Sequence, residues 1–488
     1  MPTEQFNKGD YFGIEVICTP TYKYTSKEIK KIFSQFAFQY VAKSICELTK
    51  NFLHENNIAY YEDVPYSNDT LCKAFYLAIK YANNSIQKEN IAPSKVGLKK
   101  ILQIANGEND KNFKLMTSIN QQFCENYTNQ IARTWCIFHE LWPLSYGESP
   151  IQMIEKMINV PYTMVLGFSW SIINSGYTFE CKDYKEFEQK LGIRVNEKWC
   201  ENYLNYFSCS RNQWLLNSCP PTYISKPILD SGITPSGHNS KLYFIPSAKN
   251  LISRITTGLF YDLADKYKEK KTNKFRSQFG KIFEQYVSKL FKEYLNDSFL
   301  QSNEIEYGTK HRSQRTTDML IRRGDSLILL EIKQANLYAK ALYEGDENDI
   351  KEDLRRNIGE AVVELDETES ALNKKHKKLE QFCGCSKIYK LIVFNNPLHL
   401  ANNFCKSLLK EEMDLSNISI INIYELETLL DIQQSEQNIF EMLELKEKKY
   451  PNYSYKDFMA HAYPNAEKNG TFINRYLNEI FAAIKLNN

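Results

Sequence analysis

Asp318 and the triplet Glu331-Ile332-Lys333 have the residue types and the spacing of a site for metal-assisted chemistry. Carboxylates are hard oxygen ligands that suit Mg²⁺, an ion that keeps several waters and needs only one or two carboxylates. A bound Mg²⁺ lowers the pKa of a water molecule and neutralises a phosphate group. Two carboxylates and a lysine on neighbouring strands can therefore build a site that cleaves phosphodiester bonds.

The local sequence predicts that these residues lie on a β-hairpin. Residues 316–321 form a short β-type run, residues 322–325 contain Gly324-Asp325 and predict a turn, and residues 326–333 predict an apolar strand. A strand this continuously apolar is expected at the centre of a sheet, buried on both faces. Because buried Glu331 and Lys333 need compensating charges, a cation beside the acids is the expected solution.

The elements around the hairpin follow an alternating pattern. Residues 275–290 repeat apolar residues at three- and four-residue spacing, which predicts an amphipathic helix. Residues 387–397 predict another buried strand ended by a turn, and residues 417–423 predict a further strand that leads into a helix over 425–430. This order of helices and strands is typical of an α/β sandwich.

Glu284 lies among core-facing residues of the first predicted helix. Lys281 and Lys289 are close to it in sequence, so a surface ion pair is an alternative interpretation of this acid.

At residues 275–430, about a third of the chain, the sequence resembles the PD-(D/E)XK nuclease superfamily, whose restriction-endonuclease-like fold brings together a helix Glu, a strand Asp and an E-x-K triplet. By that resemblance Glu284 is the helix acid and Asp318 the strand acid, while Glu331 and Lys333 belong to the triplet. The resemblance implies an α/β restriction-endonuclease-like core domain.

The resemblance also implies roles for these residues. Asp318 and Glu331, with the main-chain carbonyl of Ile332, would hold one or two Mg²⁺ ions, for which Mn²⁺ can substitute. Lys333 would help to position or deprotonate the attacking water and would offset charge in the transition state. Glu284 would complete the catalytic set.

The sequence departs from the family pattern at two places. Thr317 stands where a proline usually precedes the strand acid, a position that varies widely in the superfamily. Gln334 and Tyr338 follow the triplet at once, whereas exonuclease-like branches carry a Gln and a Tyr on a later helix. The second departure weakens any expectation of exonuclease polarity.

Basic residues flank the predicted site in sequence, and their clustering around one site points to nucleic acid. The resemblance to the nuclease superfamily implies that this nucleic acid is DNA. Runs of charge are usually solvated faces, which is the plainer interpretation of each patch. The residues expected to contact nucleic acid are Lys274, Arg276, Arg315, Arg322, Arg323 and Gln334.

Length and composition bound the remaining possibilities. The chain has 488 residues, more than a single core usually supports, and its 43% hydrophobic content excludes disorder. A formal net charge of +2 excludes a polycationic nucleic-acid binder, so contacts must use local patches. With neither a signal peptide nor an apolar run of membrane-spanning length, we expect a cytoplasmic protein with no membrane association.

The sequence predicts several regions. Residues 1–219 predict a large, mainly α-helical N-terminal domain for sensing, substrate selection or partner binding, followed by a Pro/Gly/Ser-rich junction at 220–247. A nuclease-like domain is predicted at 248–432 and a short helical C-terminal extension at 433–488. A protein partner or a second copy of the chain is expected to bind through the N-terminal domain.

The expected function is that of a Mg²⁺-dependent nuclease, most simply a DNA endonuclease in restriction or anti-phage defence. A nuclease of DNA repair or recombination is one alternative. A non-catalytic nucleic-acid-binding or assembly subunit that retains the nuclease fold is the alternative from another class.

Overall fold

A computed structural model gives the fold of the chain. The residues that it describes are 7–11, 14–18, 24–49, 58–61, 64–82, 92–107, 127–147, 149–174, 178–181, 185–192, 194–216, 222–233, 241–266, 274–295, 298–309, 312–334, 347–395, 405–406, 409, 411–435, 438–451, 453–466 and 470–486.

The helices in this part of the chain are most frequent in the first half, and strands and helices alternate in the second. The helices are α1 (Ser26–Phe33), α2 (Phe38–Thr49), α3 (Asn68–Tyr81), α4 (Lys95–Gly107), α5 (Tyr127–Trp135), α6 (Trp142–Tyr146), α7 (Pro150–Ile158), α8 (Tyr162–Asn174), α9 (Lys185–Leu191), α10 (Glu197–Phe207), α11 (Arg211–Trp214), α12 (Thr222–Ser225), α13 (Ala248–Ile255), α14 (Thr257–Lys266), α15 (Lys274–Tyr294), α16 (Glu347–Asn373), α17 (Ile423–Ser435), α18 (Ile439–Lys449), α19 (Tyr455–Ala462) and α20 (Thr471–Leu486), with a π-helical turn at Cys136–Leu141 and a 3₁₀ helix at Lys377–Phe382.

The strands belong to small sheets that are antiparallel or mixed. They are β1 (Asn7–Tyr11), β2 (Ile14–Cys18), β3 (Ile58–Tyr61), β4 (Val64–Ser67), β5 (Thr178–Cys181), β6 (Ser208–Ser210), β7 (Ile228–Asp230), β8 (Lys241–Phe244), β9 (Phe299–Gln301), β10 (Glu306–Thr309), β11 (Arg312–Arg315), β12 (Met319–Arg323), β13 (Ser326–Lys333), β14 (Lys387–Phe394) and β15 (Ile418–Asn422). The chain is thus a mixed α/β protein with a largely helical first half.

The central sheet of the second half has five strands in the order β15-β14-β13-β12-β9. Strand β12 is antiparallel to both β9 and β13, whereas β14 is parallel to β13 and β15 is parallel to β14. The predicted hairpin is confirmed, although Arg322 and Arg323 extend β12 and the turn is confined to Gly324 and Asp325. Gly324 has φ +57°, a conformation that favours glycine in a tight turn.

Strand β13 is covered on both faces, as its apolar run predicts. Ile328 and Leu330 belong to a large core that includes Phe283 of α15. Leu327 and Leu329 belong to a second core, which α16 closes with residues such as Leu354, Ile358 and Leu365. Because successive side chains of a strand point to opposite faces, β13 divides the two cores.

The predicted junction at 220–247 contributes to a second sheet. Strands β7 and β8 lie in a four-stranded sheet of order β5-β8-β7-β6, in which β5 and β6 come from the N-terminal side. Ile228, Leu229 and Phe244 are fully buried there, so the described parts of this segment, 222–233 and 241–247, pack as part of the fold. Short apolar runs between turn-forming residues supply these strands. The sequence predicted a junction because Pro, Gly and Ser dominate the composition of the segment.

The large core is continuous from the N-terminal helices to the last helix. Its members include Ile29 of α1, Phe244 of β8, Ile332 of β13 and Ile484 of α20. The two halves of the chain therefore share one hydrophobic core.

A buried ion pair also joins the two halves. Arg133 of α5 donates from Nη1 to Glu427 Oε1 of α17 at 2.7 Å, and the hydroxyl of Tyr286 on α15 donates to the same oxygen at 2.7 Å. Asn129 donates to Glu427 Oε2 at 3.3 Å. Since both charged groups are nearly inaccessible to solvent, each depends on the other for compensation.

In the described part of the chain, no helix is both long enough and apolar enough to cross a membrane.

The buried pair gives a stability prediction. Arg133→Met leaves the Glu427 carboxylate buried without its cation, so we expect the free energy of unfolding to fall by about 3–5 kcal/mol. Urea unfolding followed by circular dichroism measures the loss. Arg355→Met is the matched control, because Arg355 is exposed and lies 3.9 Å from Glu412; its loss should stay below about 1 kcal/mol. Equal losses in the two variants would contradict the assigned role of the buried pair.

Candidate functional site

Asp318 and Glu331 meet at the open end of the β12–β13 hairpin. The ladder ends with Met319 opposite Leu330, so the next two residues face each other beyond it. Glu331 Oε1 accepts a hydrogen bond from the main-chain amide of Asp318 at 3.3 Å, and Asp318 Oδ2 accepts one from the amide of Ile332 at 2.7 Å. Two carboxylates therefore replace the main-chain ladder at this end of the hairpin.

Lys333 lies two residues beyond Glu331 and on the same face of β13. Its Nζ is 3.0 Å from Glu331 Oε2 and 2.6 Å from Glu364 Oε2. The structure thus brings together the predicted acids and the predicted lysine, and it adds a carboxylate from α16 that the sequence analysis did not identify.

The sequence pattern around Glu364 gives only a weak indication that this acid contacts the sheet. It lies between Ala361 and Leu365, two buried positions of α16, at the edge of the stripe that packs on the sheet. An acid at the edge of such a stripe can reach the sheet, but the sequence alone does not say which strand residue it meets.

The long helix α16 is held to the sheet close to the site. The amide of Thr317 donates to Thr368 Oγ1 at 2.9 Å. A proline at position 317 would lack this donor, which gives a physical reason why proline does not precede Asp318 in this chain. Lys390 of β14 lies 2.7 Å from Asp366 and 2.6 Å from Glu369, so the helix has a second anchor.

Glu284 approaches the site from the opposite face of the sheet. Its side chain is half-buried on α15. Burial raises the pKa of Glu284 to about 7, and the negative charge of Asp318 adds to that shift. Lys289 pairs with Glu140 instead of Glu284, and no ion pair of Glu284 with Lys281 forms among the described residues. The surface ion-pair interpretation of Glu284 is therefore not the one that the structure favours.

Burial and mutual repulsion dominate the electrostatics of the acids. Burial raises the pKa of Asp318 to about 6, although the Ile332 amide and Lys333 oppose the shift. Burial also raises the pKa of Glu331, and the charge of Asp318 raises it further, so Lys333 compensates only part of the cost. The site without a cation is therefore electrostatically unfavourable for two ionised carboxylates.

Lys333 remains a cation at neutral pH. Burial lowers its pKa, but Glu331 and Glu364 together raise it above the ordinary value. Of the three roles expected for Lys333, positioning of the water and charge compensation fit this environment, whereas removal of a proton from water does not.

The donor set fits a magnesium ion in part. Asp318 and Glu331 offer hard carboxylate oxygens, and the main-chain carbonyl of Ile332 directly follows Glu331 in sequence; water would complete an octahedral shell. Within the described ranges, no group of three or more His, Cys, Asp or Glu side chains is placed to hold a metal ion. A metal at this site would therefore rest on two carboxylates, a carbonyl and several waters.

The predicted basic residues do not all gather around the acids. Arg322 and Arg323 lie at the turn end of the hairpin, about 13 Å or more from Asp318 along β12. They lie at the opposite end of the strand from the acids, as their place beside the predicted turn implies, and their contact with nucleic acid stays a prediction. Arg322 Nε instead donates to the Gly324 carbonyl at 3.1 Å.

The other predicted nucleic-acid contacts lie in different settings. Arg315 is exposed and pairs with Glu304 at 3.0 Å and Glu306 at 3.4 Å, so part of its charge is already compensated. Lys274 and Arg276 begin α15, roughly 12–15 Å along the helix from Glu284.

Gln334, also predicted to contact nucleic acid, lies close to α15, the helix that carries Glu284. A Cβ atom added at Gly280, one turn before Glu284 on α15, would be 3.6 Å from Gln334 Oε1. The side chain therefore lies against α15, beside the triplet that it follows in sequence. Tyr338, the other residue that departs from the family pattern after the triplet, lies outside the described residues.

Comparison of the chain with protein-family models, with curated proteins and with solved structures found no match.

The raised pKa of Glu331 gives a pH-dependent stability prediction. In the metal-free folded protein Glu331 holds a proton at pH values where the unfolded chain has released it, so stability falls as pH rises above the ordinary value of 4.5 toward the raised folded value. Glu331→Gln removes this loss and keeps an acceptor for the Asp318 amide. We expect the variant to gain stability over wild type at pH 8 and to lose that advantage at pH 5.

Urea unfolding with EDTA at pH 5, 6.5 and 8 measures this difference. Glu360→Gln, at an exposed position of α16, changes the same charge and should show no such trend with pH. An advantage of Glu331→Gln that is equal at all three pH values would argue against the assigned electrostatics.

Proposed function

We propose that the protein is a metal-dependent nuclease that hydrolyses phosphodiester bonds, most simply a DNA endonuclease. One observation carries the proposal: Asp318 and Glu331 are brought together with Lys333 at the end of a buried strand, where burial and mutual repulsion disfavour two ionised carboxylates. A divalent cation relieves that repulsion, and phosphodiester hydrolysis uses such an ion.

The arrangement of elements supports the proposal. A helix-borne acid, a strand-borne acid and an E-x-K triplet converge, which is what the resemblance to the PD-(D/E)XK superfamily implies. The helix α15 and the antiparallel strands β9, β12 and β13 precede α16 and the parallel strand β14. The choice of DNA as the polymer rests on the resemblance alone.

Each residue has a role in this proposal. Asp318, Glu331 and the carbonyl of Ile332 would hold Mg²⁺, which supplies a water of lowered pKa and neutralises the phosphate. Lys333, as a cation, orients the attacking water and offsets charge on the phosphate. Glu284, whose pKa is raised to about 7, is suited to accept a proton near neutral pH.

Cleavage of supercoiled plasmid and linear DNA by the purified protein tests the proposal. We expect cleavage with Mg²⁺ or Mn²⁺ and none with EDTA. Lys333→Ala and Glu331→Gln should each lower the rate by roughly 10²–10³-fold, because each removes a group that stabilises charge in the transition state. Nicking of the circular substrate would establish an endonuclease.

Lys387→Ala is the matched control for Lys333→Ala. Lys387 lies on the neighbouring strand β14 and pairs with Glu444 at 2.8 Å, away from the triplet. Its cleavage rate should stay close to that of wild type. Nucleic-acid binding that ignores both Mg²⁺ and Glu331→Gln, without cleavage, would instead favour a non-catalytic subunit.

The environment of Glu284 predicts the pH dependence of cleavage. If Glu284 accepts a proton, the rate at saturating Mg²⁺ should rise with pH and then level off, since the ionised form is the active one. The rise should be centred at or below about 7, because a cation bound at Asp318 offsets the negative charge that helps to raise the pKa of Glu284. Glu284→Gln should lower the rate and remove the rise. Rates measured between pH 5.5 and 9 with a duplex oligonucleotide decide this, and an unchanged profile in the variant would exclude Glu284 as the acceptor.

A further inference from the structure

The ammonium of Lys333 is shared between two carboxylates from different elements. It lies 3.0 Å from Glu331 Oε2 on its own strand and 2.6 Å from Glu364 Oε2 on α16. The Glu331 side chain is 3% exposed, whereas that of Glu364 is 46% exposed. One cation thus bridges an acid that belongs to the proposed metal site and an acid that the proposed function does not use.

The position of Glu364 is fixed by the anchors of its helix. One turn later on α16, Thr368 Oγ1 accepts a hydrogen bond from the main-chain amide of Thr317, the residue before Asp318. Thr368 in turn donates from its hydroxyl to the carbonyl of Glu364 at 2.8 Å. Because these bonds connect α16 to the hairpin, the Glu364 carboxylate remains within reach of Lys333.

An ammonium and a divalent cation compete for the oxygens of Glu331. The ammonium cannot stay at its present distance from Glu331 when a divalent ion is bound there, since the two cations repel each other. Leaving a partly buried ammonium without an acid partner is also unfavourable. Glu364 meets both requirements, because it already contacts the ammonium and comes from a different element than Glu331.

We propose that Glu364 is a positioning residue that takes over the Lys333 ammonium when a divalent cation binds Glu331. The inference rests on the proposed metal site and deepens it. Glu364 itself contacts neither metal nor substrate in this scheme, and it favours metal binding through Lys333. Of the two acids that contact the ammonium, only Glu331 remains when Glu364 is removed. The ammonium then competes more strongly with the metal for the oxygens of Glu331.

Isothermal titration of the full-length protein with Mn²⁺ at one fixed pH tests this without any substrate. We expect Glu364→Gln to raise the dissociation constant for Mn²⁺ by about three- to fivefold, the size of one partly exposed ion pair. Asp366→Asn is the matched control, since it removes the same charge from α16 but pairs with Lys390 at 2.7 Å. Its dissociation constant should stay within about twofold of wild type.

Variants in a Lys333→Met background separate the proposed route from a general charge effect. If Glu364 acts through Lys333, Glu364→Gln should not weaken Mn²⁺ binding once the lysine is gone. Glu364 also raises the pKa of Glu331, and loss of that effect favours the metal in either background. An equal weakening with and without Lys333 would overturn the inference, as would unchanged or tighter binding in the single variant.

The outcomes for wild type distinguish this inference from the proposed function. Tight Mn²⁺ binding with no effect of Glu364→Gln rejects the role of Glu364 and leaves the nuclease proposal standing. No Mn²⁺ binding by wild type rejects both. Glu364→Asp, which keeps the charge on a shorter side chain, should bind Mn²⁺ more tightly than Glu364→Gln, and urea unfolding of each variant shows that it is folded.

Discussion

The burial of strand β13 on both faces is the constraint on which the site depends. Its apolar side chains alternate between two cores, so no charged group can lie in the middle of the strand without a large cost. Glu331 and Lys333 come at its end, where α16 supplies a carboxylate and the hairpin supplies Asp318. The position of the polar groups is thus set by where the hydrophobic layers stop.

The same arrangement explains why the site is poorly compensated by protein charges alone. Four carboxyl groups, from Asp318, Glu331, Glu364 and Glu284, lie within electrostatic reach of one ammonium. The hydrogen bonds of Asp318 and Glu331 to main-chain amides hold both acids in place despite their repulsion. Because the fold holds these carboxyl groups together and leaves part of their negative charge uncompensated, their arrangement favours a positive charge beside them.

Periodicity in the sequence predicted four of the local elements around the site. The hairpin, α15, β14 and β15 were all predicted, because strands and helices that face a core carry apolar residues at period two or at three- and four-residue spacing. Glu364 was not predicted, since its contact with Lys333 depends on how a helix 31 residues away in sequence lies on the sheet. Arg322 and Arg323 lie beside the predicted turn, at the end of β12 away from Asp318, because each residue of a strand adds about 3.3 Å to its length.

The shared core between the two halves has a consequence for the evolution of this chain. Tyr286 and Glu284 are two residues apart on α15, yet one bonds to the buried Glu427–Arg133 pair and the other faces the hairpin. The helix that carries an acid of the site is therefore also part of the packing of the N-terminal helices. A recombination event that exchanged the first half for an unrelated module would expose the large apolar surface of α15, so the two halves are constrained to be inherited together.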